Sequence, residues 1–221
     1  MRVESWGLVD YSAAVEKQLM LVEEVAAGGE EVLVFCSHPP VATLGRATRP
    51  DDITTWTGAI LEVSRGGRVT YHGPSQLVIY PILNLNLKRA NRSPRDLVGY
   101  IRDLEDSIAD LLQEYGFEAR GKSLQGRTDK EIPQEETGVW VLDSQKRSRK
   151  IASLGIAVKK WVTYHGAAIN LDFDSTAFLG MKPCGFESDV MVSLEELMGK
   201  SVDRSDFENK ISEKLVEKFR V

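Results

Sequence analysis

Two apolar runs in the second half of the chain constrain the fold more than any other feature. GVWVLD (138–143) and KIASLGIAVKKWVTYHGAAINL (150–171) are both rich in β-branched and aromatic residues. The polar segment DSQKRSR separates the two runs, and the pair KK interrupts the second at a point where a turn would fit. The pattern therefore predicts three adjacent strands that form part of one sheet.

Helices are predicted in the first half of the chain. DYSAAVEKQLMLVEEVAAGG (10–29) has apolar residues at helical spacing and ends at a glycine pair. SPRDLVGYIRDLEDSIADLLQEYG (93–116) carries the stronger signal, with Ser93 as the N-cap, Pro94 in the first turn and Gly116 beyond the end. These helices supply apolar faces that can cover a sheet.

The remaining segments complete an α/β (α+β) architecture. Strands are expected at EEVLVF (30–35) and AILEV (59–63), and DRSDFENKISEKLVEKFR (203–220) is expected to close the chain as a helix. The polar stretch FEARGKSLQGRTDKEIPQEETG (117–138) indicates a surface loop with a little strand. We expect a single domain of residues 1–221, with a mixed sheet flanked by helices.

Composition excludes several classes of protein. A hydrophobic content of 42% and a charged content of 28% are ordinary for a globular protein, and no segment approaches the roughly 18 apolar residues of a membrane span. The formal net charge of −5 argues against general nucleic-acid binding. The start MRVESWGLVD lacks the pattern of a signal peptide, and two cysteines are too few for a disulfide framework. We expect a cytoplasmic protein, by default a monomer, with no nucleic-acid or membrane partner.

Cys184 is the candidate nucleophile from its local sequence. It lies in KPCGF, between a proline that fixes its own φ and a glycine that permits close approach of the backbone. That is a poor position for a packing cysteine. Cys36 follows VLVF and is predicted to be a buried strand residue without chemistry.

All three histidines fall in segments marked by glycine or proline: His38 in SHPPV, His72 in YHGPS and His165 in YHGAA. The local sequence around each histidine, considered separately, favours a structural role for that residue. TYHG nevertheless occurs twice, at 70–73 and 163–166, so neighbouring strands ending this way would bring two histidines to one cleft. A metal site built from these histidines and the cysteines is disfavoured because the only close pair is Cys-x-His; we predict none.

Lys150 ends the basic run KRSRK (146–150) and begins the apolar run IASLGIAV. At the edge of a core, desolvation would favour a neutral amine that could act as a base, whereas the residue pattern alone favours a solvated lysine. GRATR (45–49) and KRANR (88–92) are further basic clusters. They fit either solvated loops or a surface that docks an acidic partner.

Five segments match one family in order along the chain: SHPPVATLGR (37–46), RGGRVTYHGPSQLVIYPILNL (65–85), GVWV (138–141), KIASLGIAVKKWVTYHGAAIN (150–170) and KPCGFESDVMVSL (182–194). Together they resemble the lipoyl(octanoyl) transferases, the octanoyl-[acyl-carrier-protein]:protein N-octanoyltransferases of lipoate biosynthesis. The resemblance implies a fold like the catalytic domain of biotin and lipoyl protein ligases.

The resemblance also implies an acyltransferase activity. An octanoyl group would pass from the phosphopantetheine of acyl carrier protein to a lysine of glycine cleavage H protein or of the lipoyl domains of 2-oxoacid dehydrogenase E2 subunits. No cofactor and no ATP would be needed because the thioester is already activated. Cys184 would be the acyl-thioester nucleophile and Lys150 its catalytic partner. The implied substrate-binding residues are Arg65, Gly66, Gly67, Arg68, Val69, Thr70, Tyr71, His72, Ser153, Leu154, Gly155, Gly166, Ala167 and Ala168.

Three further expectations follow from the resemblance. Glycines 66, 67, 155 and 166 would let backbone N–H groups reach the thioester oxygen. Ser75 stands where the family has glycine, so a positive φ there would be strained. KRSRK and KRANR would help to dock acyl carrier protein. Two other functions remain open, namely an ATP-dependent lipoate or biotin ligase and a non-catalytic module that binds acyl carriers.

Overall fold

The computed structural model describes residues 1–121 and 137–221. The helices in these ranges are α1 (Tyr11–Ala26), α2 (Leu97–Glu114), α3 (Leu194–Met198) and α4 (Arg204–Lys218). The strands are β1 (Arg2–Leu8), β2 (Val32–Ser37), β3 (Val41–Leu44), β4 (Ala59–Glu62), β5 (Thr70–His72), β6 (Gln76–Ile82), β7 (Ala119–Gly121), β8 (Gly138–Leu142), β9 (Ser148–Lys159) and β10 (Val162–Asn170). The fold is α+β, with mixed sheets flanked by helices.

The large sheet contains seven strands in the order β1-β2-β6-β10-β9-β8-β7. Only β1 and β2 are parallel; the other neighbours are antiparallel. The predicted strand triplet is confirmed as β8, β9 and β10. Lys160 and Trp161 form the turn between β9 and β10 with φ values of 53° and 61°, and a two-residue loop with both φ values positive matches the twist of a hairpin.

A second, three-stranded sheet has the order β4-β3-β5. Here β3 pairs in parallel with β4 and antiparallel with β5. The predicted strand AILEV is therefore real, but it belongs to this small sheet and not to the large one. The small sheet supports the segment from Arg65 to His72.

Both faces of the large sheet are covered by helices. Val32 and Val34 pack with Ala14 and Val22 of α1, whereas Leu33 faces the opposite cluster, which contains residues of α2 and α4. Burial on both faces explains why β2 is an uninterrupted apolar run and not an alternating one.

Two features of the chain differ from the sequence predictions. The N-cap of α2 is Asp96, whose Oδ1 accepts from the Gly99 N–H at 2.8 Å, and not Ser93. Arg95 has a φ of 61°, which is incompatible with a helix that already includes Ser93 and Pro94. The strand β1 was not predicted; its residues alternate between half-buried and exposed at the edge of the sheet.

Over residues 1–121 and 137–221, no helix combines the length and the apolar character needed to cross a membrane.

Candidate active site

A cavity of about 490 Å³, including its open mouth, lies where strands of both sheets meet. It brings together most of the residues implied by the family resemblance: Arg65, Gly67, Arg68, Thr70, His72, Ser153, Leu154, Gly155, Gly166, Ala167, Ala168 and Cys184. These residues are far apart in sequence, so the cavity exists only in the folded chain.

Cys184 sits at the cavity in a left-handed backbone conformation, with φ 54° and ψ 21°. Its N–H donates to the carbonyl of Val69 at 2.9 Å, and the N–H of Lys182 donates to the carbonyl of Asp52 at 2.8 Å. A left-handed conformation costs a residue with a Cβ about 1–2 kcal/mol, so neighbouring contacts must hold it in place.

The small sheet supplies those contacts. Tyr71, Phe178 and Met181 pack in one apolar cluster with Val69 and Met191. The carbonyl of Gly180 accepts the N–H groups of three consecutive residues, 54 to 56. The Cys184 segment is therefore fixed to the small sheet on both sides of the cysteine.

Lys150 is fully buried near the start of β9. Its Nζ donates to the carbonyl of Thr137, a residue that lines the cavity, at 2.8 Å. The ammonium also lies 5.5 Å from the ring centroid of Trp140 and 5.9 Å from that of Phe186. The alternative of a solvated surface lysine is therefore wrong.

The backbone of Lys150 is tied to the segment that follows Cys184. The N–H of Val192 donates to the carbonyl of Lys150 at 3.1 Å, and Lys150 forms a parallel bridge with Met191. The structure thus connects the strand that carries the lysine to the loop that carries the cysteine, as the proposed pairing of the two requires.

Arg65 is a buried cation whose hydrogen bonds all go to protein oxygens. Its Nη2 donates to the carbonyl and hydroxyl of Thr43 at 2.7 and 2.8 Å, and its Nε reaches the same hydroxyl at 3.3 Å. Its Nη1 donates to the carbonyls of Gly66 and Arg68 at 3.0 and 2.9 Å. Arg65 therefore contributes positive charge and loop shape to the cavity, and it has no N–H left for a ligand.

Arg68 lies beside the cysteine loop. It forms an ion pair with the buried carboxylate of Asp52, in which Nε donates to Oδ2 at 3.1 Å. A methyl group on Gly185 would lie within 2.6 Å of the Arg68 guanidinium carbon. The glycine after the cysteine is therefore required so that the arginine can approach the loop.

Three of the four glycines expected at the thioester, Gly66, Gly155 and Gly166, have structural contacts with neighbouring segments. The N–H of Gly66 donates to the carbonyl of Ile156 at 3.0 Å, so the expectation that it faces the thioester is wrong. A methyl group on Gly155 would lie 2.7 Å from Cδ of Arg65, and one on Gly166 would overlap the carbonyl of Ile79. These two glycines allow close approach of the Arg65 side chain and of β6.

Three predicted substrate-binding residues, Gly66, Val69 and Tyr71, do not line the cavity, and Lys150, itself outside the lining, reaches it through its hydrogen bond to Thr137. Val69 and Tyr71 belong to the apolar cluster of the small sheet, whereas the residues that alternate with them, Arg68, Thr70 and His72, line the cavity. Successive side chains of an extended chain point in opposite directions, so the predicted segment is divided between the cavity and the apolar cluster of the small sheet.

Aromatic and imidazole rings form the floor of the cavity, which we define as Tyr11, His72, Tyr80 and His165. The ring of Tyr11 stacks on His72 with centroids 5.2 Å apart, and its hydroxyl lies 3.3 Å from Nδ1 of His165. The expectation that both TYHG repeats reach one cleft is confirmed. They do so from different sheets, because His72 is on β5 and His165 is on β10.

These histidines are neutral. Burial lowers the pKa of His165 to about 3, with a further contribution from the charge of Arg65. Burial likewise lowers the pKa of His72 well below its ordinary value, and that of His38 in the same direction. Neutral rings allow the floor to contact an apolar chain without an additional buried charge.

Ser75 is not strained. It is absent from the non-glycine residues with positive φ, and its hydroxyl donates to Oδ2 of Asp174 at 3.4 Å. The same carboxylate oxygen accepts from the hydroxyl of Tyr71 at 3.1 Å. Ser75 therefore joins a small polar cluster with Tyr71 and Asp174, and the condition for backbone strain, a positive φ at this position, is not met.

One of the two predicted docking clusters is structural. Arg89 is buried, and its guanidinium donates to Glu31 and to the carbonyl of Phe219, at 2.5 Å in each case. Arg92 is also buried and pairs with Asp103 at 2.7 Å. Of the three basic residues of KRANR, only Lys88 is exposed, whereas both Lys146 and Arg147 of KRSRK are exposed.

Cys36 is a buried residue of β2, as predicted, and burial raises the pKa of its thiol. Within the described ranges, no group of three or more His, Cys, Asp or Glu side chains is arranged to hold a metal ion.

The sequence predictions missed four residues of the lining: Tyr11, Val78, Tyr80 and Thr137. His165, the fifth residue outside the predicted substrate-binding set, was indicated by the repeated TYHG. Tyr11 lies on an amphipathic helix and Val78 and Tyr80 lie on an apolar strand, so their patterns indicate core packing alone.

Residues 10–216 match the family described as the lipoyl protein ligase A/B catalytic domain. The chain is 50% identical over 218 residues to an octanoyltransferase of Bdellovibrio bacteriovorus, covering 97% of this chain and 96% of that protein. It is 37% identical over 222 residues to an octanoyltransferase of Mycolicibacterium gilvum, covering 98% of this chain and 84% of the relative.

Two solved structures share the fold. A lipoate-protein ligase A bound with ATP has a TM-score of 0.67 at 15% identity, covering 98% of this chain and 84% of that one. A bi-partite lipoate protein ligase from Thermoplasma acidophilum has a TM-score of 0.66 at 14% identity, covering 98% and 82%. Since both identities are low, these likenesses extend to the fold alone.

Proposed function

The chain belongs to the lipoyl protein ligase A/B catalytic-domain family, and we propose that it transfers an octanoyl group from octanoyl-acyl carrier protein to a specific lysine of a lipoyl domain or of glycine cleavage H protein. Its octanoyltransferase relatives support octanoyl transfer in lipoate biosynthesis. One observation carries the finer proposal. Cys184 lines a cavity bounded by both sheets, and Thr137 of the same cavity holds the buried ammonium of Lys150.

The first half-reaction acylates the cysteine. A thiol is mostly protonated at neutral pH, and the positive charge of Lys150 favours the thiolate of Cys184. Its Sγ attacks the thioester carbonyl carbon, a carbon–sulfur bond forms, and the bond to the pantetheine sulfur breaks. The leaving thiolate takes a proton from Lys150, which becomes neutral.

The second half-reaction returns every group to its starting state. The amine of the acceptor lysine attacks the Cys184 thioester and an amide bond forms. Neutral Lys150 takes the proton that the amine releases, and Cys184 leaves as the thiolate. A thioester is converted to a more stable amide, so the cycle proceeds without ATP or another cofactor.

The lining suits an octanoyl chain. Val78, Leu154, Ala167 and Ala168 give it apolar walls, and the neutral rings of the floor close it. Burial of each methylene contributes about 0.8 kcal/mol, so several methylenes together contribute substantially to binding.

Acyl carrier protein is proposed to dock beside the turn between β8 and β9. Lys146 and Arg147 are exposed there, close in sequence to Lys150, and an acidic carrier would be attracted to their charges. Replacement of both residues by Glu should slow acylation at low salt and have less effect at high salt. An unchanged rate at low salt would remove this surface from the proposal.

The central test follows the acyl group by mass. The protein is incubated with octanoyl-acyl carrier protein without ATP, weighed as the intact chain, and then mixed with a lipoyl domain. An octanoyl adduct that maps to Cys184 and then moves to the domain supports the proposal. Cys36→Ala should behave as the wild type, and Cys184→Ala should form no adduct.

The two alternatives predict different results. An ATP-dependent ligase would remain active as Cys184→Ala when supplied with ATP and a free fatty acid. A non-catalytic module would bind acyl carrier protein but form no adduct.

A further inference from the structure

Two hydroxyl groups in the cavity have no hydrogen-bond partner within the described part of the chain. Thr70 Oγ1 and Ser153 Oγ are buried, and neither has a hydrogen-bond partner among residues 1–121 and 137–221. The two side chains are 4% and 8% exposed, and both line the cavity. A buried hydroxyl without a partner is unfavourable, so a ligand that accepts its hydrogen bond would gain binding energy.

The two hydroxyl groups flank the reactive residues from opposite sheets. Thr70 directly follows Val69, whose carbonyl accepts the N–H of Cys184 at 2.9 Å. Ser153 on β9 pairs with Gly138 on β8. Gly138 directly follows Thr137, and the carbonyl of Thr137 accepts a hydrogen bond from Nζ of Lys150. Thr70 therefore lies on the cysteine side of the cavity and Ser153 on the lysine side.

The saturated part of an octanoyl chain has no hydrogen-bond acceptor. The thioester carbonyl oxygen has two lone pairs, and its charge increases when a thiolate adds to the carbonyl carbon. Among the glycine N–H groups expected to reach this oxygen, that of Gly66 is already bonded to the carbonyl of Ile156. The oxygen that gains charge thus matches the two hydroxyl donors in chemistry. The ring nitrogens of His72 also lack a partner among the described residues, but His72 stacks on Tyr11 in the floor of the cavity.

We propose that the hydroxyls of Thr70 and Ser153 donate hydrogen bonds to the thioester carbonyl oxygen and stabilise the oxyanion of the tetrahedral intermediate. The inference rests on the proposed function. When Sγ of Cys184 bonds to the carbonyl carbon, the π electron pair moves to the oxygen that both hydroxyls contact. The pair returns as the bond to the leaving sulfur breaks, and no proton leaves either hydroxyl.

The test compares two reactions of the same thiol. Single-turnover acylation of Cys184 by octanoyl-acyl carrier protein passes through an oxyanion, whereas alkylation by iodoacetamide displaces iodide at a saturated carbon and forms none. Thr70→Val and Ser153→Ala should each slow acylation about 10- to 100-fold. Both variants should be alkylated at the wild-type rate.

Two further variants control for damage to the fold. Thr70→Ser keeps a hydroxyl and should restore most of the acylation rate. Thr48→Val also removes a buried hydroxyl without a partner among the described residues, but Thr48 lies outside the cavity lining, so its acylation should be unchanged.

Acylation of the Thr70→Val, Ser153→Ala double variant at a rate within twofold of wild type would overturn the inference. A parallel loss of alkylation would also overturn it, because the hydroxyls would then act on the thiol or the fold. A wild-type protein that forms no adduct at all would contradict the proposed function instead.

Discussion

The side chain of Lys150 lies directly against the α-carbon of Gly138. A methyl group built on Gly138 would lie 2.6 Å from Cε of Lys150 and 3.2 Å from its Nζ. The glycine has a φ of 144°, and its N–H donates to Oε1 of the fully buried Glu105 at 2.7 Å. A methyl group there would also overlap the carbonyl of Ala152. Gly138 thus leaves room for both the lysine and the neighbouring strand β9, and its N–H is held by a carboxylate from α2.

Gly138→Ala should move the ammonium and slow octanoyl transfer by at least about tenfold. The rate is measured in the wild-type and Lys150→Ala backgrounds as a double-mutant cycle. If Gly138 acts through the lysine, the alanine has little further effect once Lys150 is absent. Equal losses in the two backgrounds would show that Gly138 acts independently of Lys150.

Cys184→Gly should be more stable than Cys184→Ala by about 1 kcal/mol, because glycine adopts the observed φ of 54° without a Cβ clash. Both variants should be inactive. Urea unfolding provides the comparison, and Ala109→Gly within α2 serves as the opposite control, with an expected loss of about 1 kcal/mol. A Cys184→Gly variant less stable than Cys184→Ala would show that the left-handed conformation is unstrained.

Tyr11 should limit the length of the acyl chain. Val69, which is bonded to Cys184, and His72, on which Tyr11 stacks, are three positions apart, and three residues of extended chain span about 10 Å. Tyr11→Ala should raise the ratio of decanoyl to octanoyl transfer about tenfold, as expected for two additional buried methylenes. Tyr11→Phe keeps the ring and should leave the ratio unchanged; a ratio that is the same in all three proteins would place the end of the chain elsewhere.

Acid should destabilise the protein through His165. Its folded pKa of about 3 lies below the unfolded value of about 6.5, so between these values the unfolded chain binds more protons. The associated stability is fully present above pH 6.5 and is lost as the pH falls toward 3. When the pH is lowered from 7 to 5, the free energy of unfolding measured with urea should fall by about 2 kcal/mol less for His165→Gln than for the wild type. Equal losses would mean that the imidazole is protonated in the folded state.

Sequence patterns predicted the elements that depend on long local periodicity. The hairpins of β8 to β10 and the helices α1, α2 and α4 follow from apolar spacing over many residues. In the small sheet only β4 was predicted, because strands as short as Thr70–His72 contain too few residues to show an alternation.

The sequence motifs identified the family more readily than they identified the environment of the reactive side chains. Cys184 is marked locally by proline and glycine. The burial of Lys150 depends on Trp140, Phe186 and Gly138, which are distant or unremarkable in the sequence. KRANR shows the opposite case, in which a residue predicted to be exposed is buried. Arg89 pairs with the carboxylate of Glu31, 58 positions earlier in the chain.

The cysteine rests on the small sheet and the lysine belongs to the large one. The separation between the sulfur and the ammonium is therefore a property of how two sheets pack, and neither strand sets it alone. A ligand that binds in the cavity and increases the distance between the sheets would stop transfer without a bond to either reactive side chain. Substitutions that confer resistance to such a ligand would lie among the residues that pack between the sheets.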